Sequence, residues 1–360
     1  MSIEHQLEKL NININFTAKS GSITSIYGRS GSGKTSIINM ISGLKRPDYG
    51  FIKIEDDILL DTNNKINVPT ENRRLGYIFQ DSRLFPHLNV EGNLLYGLKE
   101  NIGNTQTITF DNVVDILEIR PLLKRKPSNL SGGEKQRVAI GRAVLTQPRL
   151  LLMDEPLASV DSQLRGEILT FIEELRDKLG LAIIYVSHSI DEVIRLSDQI
   201  IVISEGTKKA EGNVEQIMER IDLHPLTGRF DAGAVLKTKV ESYDKKYNLT
   251  NLSFNGGTLR VTGAKLPIGN IVRAHIKARD VSLMLKYPKD TSILNIFEGE
   301  IIEIGDSQGA QIDVKINIGS SLIARVTKKS FDELGLRVGL NVFTMIKAVA
   351  INQRSLGGKR

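Results

Sequence analysis

Cysteine is absent from this 360-residue chain, and so is tryptophan. Without cysteine there are no disulfides, no thiolate metal sites and no cysteine nucleophile, which fits a reducing compartment. Aromatic residues make up only 5% of the sequence. No arginine-rich arm and no basic block with interleaved aromatics is present, so nucleic-acid binding has little support. No signal-peptide pattern opens the chain, and no apolar run approaches the ~18–20 residues that span a bilayer. Any membrane role is therefore expected to be peripheral or through a partner.

What is present is ordinary globular material, 40% hydrophobic and 25% charged, enough for a sizeable core. The length implies two domains. The formal net charge of +6 reads either as a mildly basic soluble protein or as attraction to phosphates, nucleic acid or an anionic membrane surface. The basic residues are scattered through the chain.

The first part, residues 1–225, alternates β-rich runs with helical segments. "SITSIYG" (Ser22–Gly28) leads into a glycine-rich loop and the helical "KTSIINMISGL". "RLLLMDE" (Arg149–Glu155) and "LAIIYVSH" (Leu181–His188) carry consecutive apolar residues, the pattern of strands buried on both faces. "QIIVIS" (Gln199–Ser204) repeats it after a helix over Ile190–Leu196. Such alternation predicts a mostly parallel sheet flanked by helices. Residues 81–130 are more helical and polar, as in an inserted helical subdomain. "HPLTGRF", near His224, reads as a linker. Residues 230–360 have alternating β-branched and polar residues broken by "NGG", "IGN" and "IGSS", so this region is expected to be all-β with tight turns. It holds a weak internal repeat: "GNIVRAHIKARDV" (Gly269–Val281) matches "GLNVFTMIKAVAI" (Gly339–Ile351) at Gly269/Gly339, Val272/Val342, Ile276/Ile346, Lys277/Lys347 and Ala278/Ala348. That suggests two related β-modules side by side.

The chemistry concentrates in two stretches. "GRSGSGKT" (Gly28, Arg29, Ser30, Gly31, Ser32, Gly33, Lys34, Thr35), followed by Ser36, follows a strand and opens a helix. Glycines there let backbone N–H groups turn inward around phosphate oxygens, Lys34 places a cation between the β- and γ-phosphates, and the Thr35 hydroxyl can coordinate Mg²⁺. "LLLMDEP" ends a buried strand with Asp154, suited to hold Mg²⁺ through water, and Glu155, placed to polarise an attacking water. Two acids at a strand end, taken alone, are open to a second reading as exposed turn residues; beside a phosphate loop they complete a nucleotide site. "LSGGEKQR" (Leu130–Arg137) has the make-up of a second anion-binding helix N-terminus.

Together these segments resemble the ATPase subunit of an ABC transporter over about residues 1–225. Gln80 in "YIFQDSRLFP" resembles the Q-loop glutamine, "LSGGEKQR" the family signature, "ASVD" (Ala158–Asp161) the D-loop, and "VSHS" holds the switch histidine, His188. The fold implied is an α/β P-loop NTPase with an inserted helical subdomain, followed by an all-β OB-like or Mop domain. The resemblance implies two copies pairing head-to-tail around two ATPs. Ser131, Gly132 and Gly133 of one copy then touch the γ-phosphate held by Lys34 of the other. It further implies that His188 bonds the γ-phosphate, that Gln80 senses Mg²⁺ and phosphate, and that Asp161 carries over, whereas Ser159 and Val160 depart from the family's wording. Arg83, Phe85 and His87 either line the groove for a membrane subunit or serve local packing. Upstream aromatics that stack on adenine in many relatives would here be His5, Phe16 or Tyr27, and none is singled out.

"IYGRSGSGKTSIINMISGLKRPDYGFI" and "RRLGYIFQDSRLFPHLNVEGNLLYGL" resemble the subfamily that energises molybdate import. The tail from Thr291 to about residue 352 resembles the Mop domain, a molybdate- and tungstate-binding β-fold. That likeness maps an oxyanion site onto Thr291, Ser292, Asn295, Lys347 and Ala348, with molybdate or tungstate as regulatory ligand; a purely structural β-module is the alternative. The expectation is a homodimeric ATPase on the cytoplasmic face of the inner membrane, with ATP and Mg²⁺. Its partners would be a separate permease and, indirectly, a solute-binding protein, with no nucleic acid. Rivals are an importer ATPase for another anion, iron or a sugar, a non-transport ABC ATPase acting on DNA or ribosomes, and a soluble oxyanion sensor.

Overall fold

The computed structural model describes every residue except Lys9, 100–107, Ser159, Asp161, 228–230, 264–265, 307–308, 352–355 and 358–360. It comprises two units, Met1–His188 with Ser197–Glu211, and Ser189–Leu196 with Gly212–Arg360.

In the first unit, β1 (Ser2–Leu7) and β2 (Leu10–Asn15) alternate apolar and polar residues and pair antiparallel, so one face of each is buried. β3 (Ile23–Tyr27) is buried throughout and feeds the glycine loop before α1 (Lys34–Ser42). β4 (Tyr49–Ile54), β5 (Asp57–Asp61) and β6 (Ile66–Asn67) follow, then β7 (Leu75–Ile78). The helical insert is α2 (Val90–Lys99), α3 (Phe110–Ile116) and α4 (Gly132–Leu145). β8 (Leu150–Asp154), α5 (Ser162–Leu179) and β9 (Ala182–Ser187) come next. After α6 (Ile190–Leu196), β10 (Gln199–Ser204) and β11 (Thr207–Gly212) complete a sheet of order β6-β5-β4-β1-β2-β11-β10-β3-β9-β8-β7.

From β10 to β7 this sheet is parallel, as the buried apolar runs predict. The wing of β1, β2, β4, β5 and β6 is antiparallel and differs from that expectation. Its strands are covered on one face only, and short alternating segments such as "LNININ" lack the continuous apolar run that marks a doubly covered strand. Ile37, Ile38, Met40 and Ile41 of α1 pack with Ile26, Leu152, Ile184 and Ile201 of the parallel strands. Each such side chain contributes about 1.5–3 kcal/mol on burial.

Register decides where the chemistry goes. Tyr27 pairs with Ser187, Asp154 with Val186, and Met153 with Ile78. The carboxyl ends of β3, β9, β8 and β7 thus reach one edge together, the place where open α/β sheets bind ligands.

The second unit contains α6, α7 (Val214–Met218), α8 (His224–Thr227) and the β region. β12 (Gly233–Asp244), β13 (Leu249–Phe254), β14 (Gly257–Thr262), β15 (Ile271–Lys277) and β16 (Val281–Met284) form the first repeat. β17 (Asn295–Ile304), β18 (Gln311–Asn317), β19 (Ser321–Thr327), β20 (Asn341–Ile346) and β21 (Leu356–Gly357) form the second. The repeats exchange their last strands: the sheets run β14-β13-β12-β15-β21 and β16-β20-β17-β18-β19. One core of buried residues draws on both. Two details depart from the expected all-β tail with a linker before it. A short helix, α9 (Lys328–Glu333), capped by Thr327, interrupts the strands. His224 is only 3% exposed, and its Nδ1 lies 2.7 Å from Asp313 Oδ2, so the segment expected as a linker begins on a packed residue.

Candidate nucleotide and oxyanion sites

The glycine loop leaves the end of β3 under steric constraint. A Cβ on Gly28 would lie 2.4 Å from the Ile203 carbonyl oxygen, so only glycine fits where the chain turns. Arg29, Ser30 and Gly31 are exposed, Ser32 and Lys34 are buried, and Gly33, Thr35 and Ser36 follow at the start of α1. Lys34 Nζ donates to Gly28 O at 2.9 Å and Arg29 O at 3.0 Å, folding the side chain back over its own loop. Burial lowers its pKa, while the Glu155 and Asp154 carboxylates oppose that shift. The Thr35 hydroxyl donates to Asp154 Oδ1 at 3.2 Å. Burial raises the Asp154 carboxyl, Thr35 opposes this, and the neighbouring Glu155 adds to it.

Glu155 sits between Lys34 and His188. Its Oε1 is 3.8 Å from Lys34 Nζ and its Oε2 is 3.0 Å from His188 Nδ1. Its backbone is left-handed, φ 47°, pinned by Glu155 N donating to Val186 O at 2.9 Å. A non-glycine residue held there stores strain of order 1–3 kcal/mol, which marks functional positions.

Gln80 leaves β7 at the same edge and is exposed. Ser131, Gly132 and Gly133 are elsewhere, at the start of α4 on the helical insert. Ser131 is the N-cap: its hydroxyl accepts from Glu134 N, and Glu134 Oε2 accepts from Ser131 N at 2.7 Å. Ser131 and Gly132 are exposed. Asp161 lies outside the described residues. Phe85 packs locally, its ring 4.7 Å from Tyr96 and under Arg142. Phe16 and Tyr27 are both 6% exposed, and His5 Nδ1 is 3.1 Å from Asp48.

The fit to a Mg²⁺-nucleotide has independent support. The buried Ser32 hydroxyl finds no hydrogen-bond partner among the described residues, as expected of a donor awaiting phosphate. Thr35 and Asp154 supply hard oxygen ligands, which suit Mg²⁺ completed by phosphates and water. No cluster of three or more His, Asp or Glu among the described residues would hold a metal alone.

Sequence reasoning missed three supports. Arg73, 1% exposed, donates to Met40 O and Ile41 O at the end of α1, and to Val68 O and Asn67 Oδ1. The Tyr77 hydroxyl donates to Asn39 Oδ1 at 2.9 Å, tying β7 to α1. Ser82 donates to the buried Gln136 at 2.9 Å, linking the Gln80 loop to α4. An arginine in "ENRR" looks exposed, and nothing local signals otherwise.

In the second unit, Asn295 pairs with Ile346, bringing Thr291, Ser292 and Asn295 to the same sheet end as Lys347 and Ala348. Thr291, Ser292 and Lys347 are exposed and Ala348 is buried. Asn295 is fully buried and its amide is committed: Oδ1 accepts from Arg260 N at 2.7 Å and Nδ2 donates to Arg260 O at 2.9 Å. It ties β14 to β17.

A phosphate loop, an acidic strand end, a histidine beside it and a capped signature helix on a helical insert define an ABC-type ATPase. The ABC transporter family profile matches residues 12–158 and the TOBE domain profile residues 291–352. The chain belongs to the family of molybdenum import ATP-binding proteins, ModC. It is 44% identical to the member from Mesorhizobium japonicum over 358 residues, covering 99% of this chain and 96% of that one. It is 45% identical to that of Paramagnetospirillum magneticum over 330 residues, 91% of each, and 40% identical to that of Vibrio parahaemolyticus over 363 residues, covering 99% and 98%. Among solved structures, a dimeric ATP-binding cassette in a post-hydrolysis state with ADP and Pi is 28% identical with TM-score 0.50, covering 59% of this chain and 96% of that one. The cbiO1 protein of Clostridium perfringens, part of the ABC transporter complex cbiONQ, is 26% identical with TM-score 0.52, covering 62% and 90%. No helix among the described residues is long and apolar enough to cross a membrane.

Proposed function

We propose that this chain hydrolyses ATP as the homodimeric energising subunit of a molybdate importer, with tungstate as an alternative cargo of the same geometry. It acts on the cytoplasmic face of the membrane beside a separate permease, which a solute-binding protein supplies. The observation that carries the reading is similarity along almost the whole chain, tail included, to proteins named for molybdenum import.

The residue roles rest on the site's geometry together with the resemblance to ABC transporter ATPases. Backbone N–H groups from Gly28 to Gly33 and the N-terminus of α1 hold phosphate oxygens. Lys34 turns from its loop carbonyls to the β- and γ-phosphates. Thr35, Asp154 and Gln80 would hold Mg²⁺, which would offset charge on the triphosphate. Once Lys34 has turned away, Glu155 keeps His188 as its neighbour and orients the attacking water as general base. His188 fixes that geometry at the γ-phosphate. Ser131, Gly132 and Gly133 of the second copy close the far side of the phosphate. A second helix N-terminus there stabilises charge that one loop leaves exposed. Loss of the bridging phosphate on hydrolysis releases the halves, the logic of nucleotide switches. The tail, through Thr291, Ser292, Lys347 and Ala348, takes oxyanion as a regulatory ligand, while Asn295 braces that corner through Arg260.

The test is to co-purify the permease and measure ATPase activity in liposomes with solute-binding protein loaded with different oxyanions. Stimulation by molybdate and not by sulfate is expected. Equal stimulation by sulfate overturns the cargo assignment and leaves the ATPase reading standing.

A further inference from the structure

The two β repeats share one backbone frame but end differently. Lys277 and Lys347 each precede a single 3-10 turn, Ala278–Asp280 and Ala348–Ala350, with nearly equal dihedrals: φ −71°, ψ 134° at Lys277 and φ −67°, ψ 130° at Lys347. Each strand leading to them starts after a left-handed glycine, Gly269 at φ 91° and Gly339 at φ 85°. Each glycine N–H donates 2.8 Å to the neighbouring strand, at Val240 O and Ile301 O. Ala234 pairs with Ile276, and Asn295 pairs with Ile346. Counting back from those pairs, Asp231 in the first repeat holds the position of Ser292 in the second.

Chemistry at that matched position is opposite in kind. In the first repeat, Lys277 Nζ donates to Asp231 Oδ1 at 2.6 Å. His275 Nε2 lies 3.0 Å from the Asp231 carbonyl oxygen, and Ala278 N donates to Ala232 O at 2.9 Å, fixing the corner. In the second repeat, the equivalent corner carries a neutral hydroxyl, Ser292, beside Thr291, and Lys347 is exposed.

We propose that Asp231 is a built-in surrogate for an oxyanion: its carboxylate occupies the anion position of the first repeat, so Lys277 is closed to ligand and only the Lys347 corner accepts a tetrahedral oxyanion. A carboxylate tethered beside its lysine acts at an effective concentration on the order of mM, well above a trace anion. It also pairs with the lysine that would otherwise recognise a dianion. The inference builds on the oxyanion reading of the Lys347 corner, but its test compares variants and does not require that reading.

Equilibrium dialysis of the full chain with molybdate, with sulfate as competitor, measures bound anion per chain. Asp231→Ser restores the hydroxyl found in the second repeat and is expected to bind one more molybdate per chain than wild type. Adding Lys277→Ala to it is expected to remove the extra site. Asp231→Asn, which keeps the side chain's shape and a hydrogen-bond acceptor without the charge, serves if the serine variant melts early, and should gain the same site. Equal stoichiometry in wild type and in whichever variant folds overturns the proposal, as does an extra site that survives loss of Lys277. Zero binding by wild type with one molybdate bound by Asp231→Ser would sink the regulatory reading of the tail and still support the surrogate.

Discussion

His188 Nδ1 stands 3.0 Å from Glu155 Oε2, while Lys34 Nζ faces the other oxygen of the same carboxylate at 3.8 Å. One strained acidic residue therefore joins the phosphate loop to the strand end that carries the histidine. Glu155→Gln keeps the shape and removes the base. Its turnover is expected to fall by ~10²–10⁴, with ATP binding intact and an ATP-bound dimer accumulating. Single-turnover kinetics and gel filtration with ATP read both effects; normal turnover would remove Glu155 from the base role.

Arg73 supplies the second prediction. Its guanidinium reaches the last carbonyls of α1, the helix whose first turn carries Lys34 and Thr35. Hydrogen bonds from a charged donor contribute about 1.5–3 kcal/mol each, and unmet buried carbonyls add a penalty. Arg73→Met is expected to lose roughly 3 kcal/mol of stability, within the range of broken buried networks, and to weaken ATP binding through a loosened α1. Urea denaturation and nucleotide titration measure the two; an unchanged midpoint would leave Arg73 without a structural role.

What could be read from the sequence tracks how local the cause is. The loop from Gly28 to Thr35 was legible because phosphate binding demands residue types at fixed spacing. β8 and β9 were legible because strands covered on both faces leave apolar runs. The left-handed Glu155 was not, since its φ is imposed by a bond to Val186 on the next strand. Likeness to the Mop domain maps Asn295 onto the oxyanion site, whereas its amide is engaged by the Arg260 backbone, a partner distant in sequence. The swapped strands β16 and β21 are too short to show any periodicity, and their pairing is set by the shared core.

Asp313 makes acid stability a third prediction. Burial works against its charge, yet hydrogen bonds from Arg325 and His224 hold its pKa down to about 2. Its carboxylate accepts two bonds from Arg325, at 2.6 and 2.7 Å, and lies 2.7 Å from His224. A depressed folded-state value means that the stabilisation is complete above the unfolded value, ~3.9. It is lost as pH falls through about 2. Hydrogen exchange at β18 and β19 should accelerate across that window in wild type. Asp313→Asn should be destabilised by ~3–5 kcal/mol at neutral pH, as when one partner of a buried pair is removed, and should lack this acid-dependent component. An identical acid profile in both proteins would detach it from Asp313.

Ser131 and Lys34 give the last prediction, because the site proposed here is complete only across two copies. Ser131 is exposed and already capped by Glu134 within its own helix. Ser131→Arg places bulk and a long side chain where the opposite copy's phosphate would sit; losing the N-cap hydroxyl costs about 1 kcal/mol, too little to unfold the domain. Alone it should bind ATP and not turn over. Lys34→Ala alone should lose nucleotide affinity. Mixed in equal amounts, dimers of one Ser131→Arg chain and one Lys34→Ala chain contain one site with both defects and one site with neither. With random pairing in a symmetric dimer, about a quarter of wild-type activity should return. A site built within a single chain predicts none, so a mixture as inactive as its components would refute the shared site.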